Sequence, residues 1–455
     1  MSAVPANYYD GLNQKLLDAI PPGARKVLEL GCANGRLGRR FKELHPQAQW
    51  HGIDLSAEAV ETARPHLDGV LQMDLDHADL SELEGGYDTI VIGDLLEHLR
   101  DPAKVLDALY DLTADDAKIV CCVPNMAHLS VVQRLISGDM SYDPNGLLDQ
   151  THVRFFSPSS LYKLFLDSAW LPHLQDQYRF DLERTPFLNH VVQAAQALGI
   201  PAATAMRNLD CYQMIVVCSK WPMQQLIKPG KRAQFSVIVP VNRIWQAELN
   251  IARSPGLMEA GAQLILVEAA TAAEAYAKGA AQAKHAWRVM AHQDVYFPRG
   301  TGYALALQLG ALEEAGLNGA PVGFAGLEMD PERPGQTRHA GMVVDRRHLM
   351  RNAPTQAGVS IDELAVCLHA KTKLAIDPAL GWHLWGTDLC LQAEERVGQP
   401  IAQILDVPLF HNSVGDYVVP PEFHDSARVL LNKYPHRHRV PTLCGDLVRP
   451  AAKAA

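Results

Sequence analysis

No stretch of the 455 residues is apolar enough to span a bilayer. The best candidate, Val191 to Met206, is interrupted by Gln193, Gln196 and Pro201. The N-terminus, MSAVPANYYDGLNQ, has neither a basic flank nor an apolar signal core, so a cytoplasmic location is expected. Basic residues are in deficit, 41 Lys and Arg against 51 Asp and Glu, giving a net charge of −10. Such a chain lacks the field that drives non-specific nucleic-acid binding. The eight cysteines show no metal-like spacing and are expected to be reduced, buried thiols, with Cys121 and Cys122 in an apolar run. No internal repeat is visible. What is present is an ordinary globular composition, 48% hydrophobic and 20% charged, on a chain long enough for two or three domains.

The first half alternates apolar strands with helices. Strands are expected at Lys26 to Leu30, Gln49 to Ile53, Gly69 to Met73, Thr89 to Ile92 and Lys118 to Val123. Pro102 to Leu112 is a helix with proline in its first turn, and Cys211 to Cys218 is a late strand that could close the sheet. This rhythm implies a mostly parallel sheet covered on both faces. Residues 221–234, with two prolines and few apolar residues, form a linker. A second α/β unit begins at the buried strand FSVIV, Phe235 to Val239, and continues through Gln263 to Val267 and Trp287 to Ala291. It is expected to run to residue 420, with 421–455 as a C-terminal arm.

The chemistry of the first half centres on VLELGCANGRLGRRF, residues 27–41. Gly31 and Gly35 lie in the turn between strand and helix, where glycine lets the backbone approach a ligand closely. The helix N-terminus beyond offers free N–H groups. Asp54 ends the next strand about 20 residues on, where a carboxylate can accept both ribose hydroxyls of a nucleoside. Asp74 ends the strand after that, in reach of an adenine amino group. These pieces, ELGCANG at 29–35, GIDLS at 52–56, MDL at 73–75 and YDTIVIGDLLEHLRDP at 87–102, resemble the S-adenosylmethionine-dependent methyltransferases. The G-x-x-x-G spacing differs from the dehydrogenase G-x-G-x-x-G, and Ala33 replaces the family's usual second glycine. The resemblance covers roughly residues 1–220 and implies a Rossmann-like domain. It implies donor contacts from Glu29, Gly31, Cys32, Gly35, Asp54, Leu55, Asp74, Leu75 and Asp94.

Two segments bear on the acceptor, Asp94-Leu95-Leu96-Glu97-His98 and Asp149-Gln150-Thr151-His152-Val153-Arg154. Both look like segments of O-methyltransferases of the ubiquinone-biosynthesis type and their sugar-modifying relatives. Methylating a hydroxyl requires removing its proton, and a neutral imidazole suits that task near pH 7. His152 and His98 are the candidates, with a loop-capping role the alternative for His98. Asp94, Glu97 and His98 could also hold a divalent cation.

The second half, with FSVIVPVN at 235–242, LILVEAA at 264–270, His292-Gln293-Asp294, GWHLWGTDLCLQA at 381–393 and PLFHNS at 408–413, resembles GT-A fold glycosyltransferases that use nucleotide sugars. The resemblance implies a GT-A-like α/β domain. Its donor contacts would come from Pro240, Glu268, Lys278 and His292. Asp294 and His411 would hold a divalent cation, Mn²⁺ or Mg²⁺, against the diphosphate, and Asp388 would be the acceptor base. Glu268 stands where the family's first-strand acid is expected, and Ala277 precedes Lys278-Gly279 where Asn is usual. The whole chain is thus expected to be a bifunctional O-methyltransferase and glycosyltransferase. It would act on a glycan, such as a bacterial surface polysaccharide or a glycoprotein, with a nucleotide sugar as second donor. The alternative is a single methyltransferase whose second domain only binds a glycan or partner. A homodimeric assembly is left open.

Overall fold

In the computed structural model, which describes residues 11–182, 185–222, 230–346, 348–415 and 419–449, the early strands are buried on both faces. Val27, Leu28 and Leu30 of β1 (Lys26–Leu30) are at most 1% exposed, the signature of a strand inside a parallel sheet. Around it lie β2 (Gln49–Asp54), β3 (Gly69–Gln72), β4 (Tyr87–Gly93), β5 (Thr113–Pro124), β6 (Trp170–Arg179) and β7 (Cys211–Lys220). The sheet order is β3-β2-β1-β4-β5-β7-β6. The first five strands pair in parallel, and β7 runs antiparallel to both β5 and β6.

The order reverses between β1 and β4. The chain moves outward through β2 and β3, then returns to the other side of β1. That switch leaves a crevice at the carboxyl ends of β1 and β4, the place where open α/β sheets bind ligands. Helix α1 (Gln14–Ala19) buries Leu16 and Leu17, and α2 (Arg36–Leu44) buries Leu37 and Phe41 against Trp50. Gly38 of α2 permits that packing, since a Cβ there would lie 2.4 Å from Trp50 Nε1.

The chain divides into two units, Met1–Pro222 with Val414–Asp416, and Met223–Ser413 with Tyr417–Ala455. The second unit is built on a 12-stranded sheet. In it β8 (Phe235–Pro240) lies between β9 (Gln263–Val267) and β10 (Trp287–Ala291), all parallel. Val237 and Val239 face one core cluster, Ile238 the other, so the strand's two-residue period feeds both layers. Beyond β10 the pairing turns antiparallel through the strand Ala365–His369.

The ends of the expected linker belong to the units instead. Trp221 is 1% exposed and takes a hydrogen bond from Tyr110 Oη, and Ala233 joins the second core; residues 223–229 lie outside the described residues. The expected C-terminal arm is also corrected. Pro421–Lys433 is a helix whose Phe423, Ala427 and Leu430, followed by Tyr434, are buried in the second unit's core. That spacing of apolar residues is a helical stripe, and it outweighs the flanking prolines. No helix among the described residues is long and apolar enough to cross a membrane.

Candidate active site

The turn after β1 carries three residues in the left-handed region, Gly31 (φ 71), Ala33 (φ 47) and Gly35 (φ 73). For Ala33 this costs about 1 kcal/mol or more. The compensation comes from Asp54 at the end of β2. Its Oδ2 accepts from the Ala33 N–H at 2.8 Å, and its Oδ1 from the Ser56 N–H at 2.9 Å. The Gly31 and Cys32 N–H groups both donate to Ile53 O. The turn is therefore clamped to the neighbouring strand, and among the described residues each Asp54 oxygen takes one such bond, keeping further acceptor capacity. Helix α2 starts at Arg36, and its N-cap, Gly35, makes no side-chain cap hydrogen bond.

A cavity of about 690 Å³ opens over this turn. Its lining includes Glu29, Gly31, Cys32, Asp54, Leu55 and Asp94. Glu29 lies under the turn, its Oε2 accepting from Trp50 Nε1 at 2.9 Å. Burial pushes its carboxyl up to about 8, against the pull of that bond. Asp94 follows β4 in a left-handed conformation (φ 47), accepting from Gln213 Nε2 at 2.6 Å.

The far wall is made by the segments at 94–98 and 149–154. The Glu97 carbonyl accepts from the N–H groups of Val153 and Arg154, which ties the two loops together. His98 and His152 stand edge to face, ring centroids 4.8 Å apart. The Nδ1 of His152 lies 3.1 Å from Leu147 O, which can only accept, so this nitrogen carries the proton and Nε2 keeps its lone pair. His98 Nδ1 faces Thr151 O and Oγ1 in the same way, with that hydroxyl donating to Asp149. Burial lowers both imidazoles below the usual histidine range, so both are neutral at pH 7. Glu97 is buried beside them, and burial with the nearby Asp94 charge drives its carboxyl well above the carboxylate range. Ligand-type atoms of Glu97, His98 and His152 lie within 4.8 Å of one another, close enough for a shared cation.

Residues 6–168 match the family model described as a methyltransferase domain. The ubiquinone biosynthesis O-methyltransferase of Xanthomonas campestris pv. campestris (strain B100) is 35% identical over 179 residues, spanning 37% of this chain and 70% of that protein. The chain belongs, through its N-terminal unit, to the S-adenosylmethionine-dependent methyltransferases. The enzyme of the same description from Shewanella sp. (strain ANA-3) is 26% identical over 167 residues, 35% of this chain and 70% of its own length. A SAM-dependent methyltransferase from Archaeoglobus fulgidus superimposes with a TM-score of 0.33 at 17% identity, covering 47% of this chain and 97% of that one. The plantazolicin methyltransferase BpumL in complex with SAH gives 0.29 at 16%, covering 44% and 76%.

Not every expected donor residue lines the methyltransferase cavity. Gly35 does not; a Cβ there would lie 3.0 Å from Ala63 Cβ, so its place is set by packing of α2 on the helix Ala57–Ala63. Asp74 is also outside the lining, its carboxylate taken by His77 Nδ1 at 2.8 Å and the Asp76 N–H at 3.0 Å. Leu75 is 7% exposed and packs inward. Conversely, Asn13, Tyr212 and Gln213 line the cavity and were not expected from sequence. The polar Gln213 within the apolar strand CYQMIVVC was the available signal.

In the second unit, His292, Asp294 and His411 come together, ligand atoms within 4.8 Å. His411 Nε2 is 3.5 Å from Asp294 Oδ1, and its Nδ1 is 3.7 Å from Asp345 Oδ2. Burial opposes the His411 imidazolium, but Asp294, Asp345 and Asp362 outweigh it and raise the group to about 9. Asp294 is held well below the carboxylate range by His411 and His292, despite burial.

Asp388 is a correction. It is 0% exposed, and its carboxylate takes bonds from Tyr434 Oη (2.7 Å), Lys433 Nζ (2.8 Å) and Gln392 Nε2 (2.7 Å). A carboxylate so enclosed fastens the C-terminal helix and cannot meet an acceptor hydroxyl. Lys278 is likewise occupied, by Glu274 at 2.7 Å and the Glu268 carbonyl at 2.8 Å. The exposed Glu268 thus serves Lys278 through its backbone, and Pro240 closes β8 beside Val267.

Proposed function

We propose that the N-terminal unit transfers the methyl group of S-adenosylmethionine to a hydroxyl of the acceptor, with His152 as the base. The supporting observation is the imidazole pair on the cavity wall formed by the loops at 94–98 and 149–154, neutral and with the His152 Nε2 lone pair free. Asp54 takes the ribose, and the turn at 31–35 takes the donor's body. The acceptor oxygen attacks the donor methyl, its proton passes to His152 Nε2, and S-adenosylhomocysteine leaves. General-base assistance of this kind contributes about 10²–10⁴-fold. The test is release of S-adenosylhomocysteine against a panel of phenols, catechols and glycans. A panel in which only amines or thiols react would overturn the O-methyl assignment.

A second reading is favoured by the His292, Asp294 and His411 cluster. In this reading the second unit transfers a sugar from a nucleotide sugar to a glycan, and the two units work on one polysaccharide or glycoprotein. The three side chains fit a divalent ion, and two imidazoles with one carboxylate suit Mn²⁺ better than Mg²⁺. The ion would neutralise the departing diphosphate. With Asp388 enclosed, this reading names no base. Nucleotide-sugar titrations with and without Mn²⁺ test it. A metal-dependent gain that Asp294→Ala abolishes supports it. Failure of every nucleotide sugar to bind would leave the second unit as a glycan- or partner-binding module.

A further inference from the structure

Asp94 is held more deliberately than a lining residue requires. Its backbone sits at φ 47, a conformation unfavourable for a residue with a Cβ, and such outliers persist where surrounding structure enforces them. The enforcement is visible. The Asp94 N–H donates to Cys122 O, and the side chain accepts from Gln213 Nε2 at 2.6 Å and from Cys122 Sγ at 3.7 Å. Cys122 Sγ is approached in turn by Asn13 Nδ2 at 3.4 Å, and Asn13 Oδ1 accepts from Tyr178 Oη at 2.8 Å. Strands β4, β5, β6 and β7 and the cap of α1 all contribute to fixing one carboxylate. Yet among the described residues each side-chain bond that Asp94 accepts comes from a neutral donor. Asp94 is half-buried on the cavity wall, and a carboxylate held there without a cation gains from a ligand that brings one.

The sheet order says where that cation would lie. Asp54 anchors the ribose at the β2 end of the crevice. Asp94 lines the same cavity from the β4 side of β1, and the donor's sulfur, one carbon beyond the ribose ring, would have to lie between the two. The two loops adjoin there, since a Cβ on Gly31 would lie 3.3 Å from Leu95. We propose that Asp94, fixed by Gln213 from β7, is the counter-charge for the donor's sulfonium, so that the cavity prefers the charged donor to the uncharged thioether product. Gln213 is a positioning residue in this scheme. The proposal rests on the donor assignment above and adds to it a direction, since product release follows loss of the positive charge.

S-adenosylmethionine and S-adenosylhomocysteine share adenine, ribose, ammonium and carboxylate, so the ratio of their dissociation constants isolates the sulfonium. Calorimetry on the full chain at pH 8 should show Asp94→Asn weakening S-adenosylmethionine by about 10- to 100-fold while S-adenosylhomocysteine changes by no more than about threefold. Gln213→Leu should move the ratio in the same direction by a smaller factor, and Gln213→Asn should restore part of it. Thermal melts confirm that each variant is folded. Equal weakening of both ligands, or an unchanged ratio in Asp94→Asn, overturns the proposal. If the wild type binds neither ligand, the donor assignment falls and the proposal with it. Normal S-adenosylhomocysteine binding with an unchanged ratio removes the sulfonium role alone.

Discussion

Replacing Asp54 by alanine removes a group with two separable jobs. An ionised carboxylate offers about four acceptor positions. Two are used internally, by the N–H groups of Ala33 and Ser56 at 2.8 and 2.9 Å. The remaining two match a vicinal diol. Charge-assisted bonds of this type are worth about 1.5–3 kcal/mol, so loss of the ribose contact should weaken S-adenosylhomocysteine by about 10- to 150-fold. The internal bonds complicate the reading, because Asp54→Ala also releases Ala33 from its clamp at φ 47. A 2′-deoxy analogue separates the two effects. Calorimetry should show the wild type losing about tenfold or more when the 2′-hydroxyl is missing. The variant should bind both ligands equally. If Asp54→Ala still discriminates as strongly as the wild type, the carboxylate does not hold the ribose and the variant's loss is a turn effect.

Three further outcomes follow from the same geometry. His152→Ala should lower methyl transfer by about 10²–10⁴-fold with donor affinity nearly intact, whereas His98→Ala should cost less; the reverse order in single-turnover rates would exchange their roles. Glu29 is raised to about 8, so the donor-free folded state holds its proton longer than the unfolded chain. Stability of the first unit should therefore fall as pH rises from the ordinary glutamate range toward 8, and Glu29→Gln should flatten that slope in thermal melts at fixed ionic strength. Asp388→Ala should destabilise the second unit by about 1–3 kcal/mol, as expected for leaving the buried Tyr434 hydroxyl without its acceptor while Lys433 keeps Asp377, without touching methyl transfer; a loss of sugar transfer at unchanged stability would return Asp388 to the chemistry.

Much of the first unit was legible because parallel strands buried on both faces read as apolar runs. Lys26–Leu30 and Pro102–Leu112 match the expected bounds, and β2, β4 and β7 extend theirs by only a few residues. Strand β6 was missed, since Trp170–Arg179 contains Pro172 and an exposed polar end. The short antiparallel strands of the second unit were missed for a related reason. Thr337–Asp345 and Thr355–Ile361 begin exposed, and their burial is decided by long-range pairing that local pattern does not carry. At the site, Gly31, Asp54, His98 and His152, named from motifs and from the resemblance, fell on the cavity wall. Asp74 and Asp388 did not, because a carboxylate at a strand end or helix start looks the same whether it faces a cavity or a neighbouring side chain. His77 claims the first and Tyr434 the second, and neither partner is predictable from the local motif.

The most direct measurement is calorimetric titration of the intact chain with S-adenosylhomocysteine. A saturable transition with one ligand per chain, sharply weakened in Asp54→Ala, is the predicted result. Absence of binding at millimolar ligand would contradict the methyl-donor site.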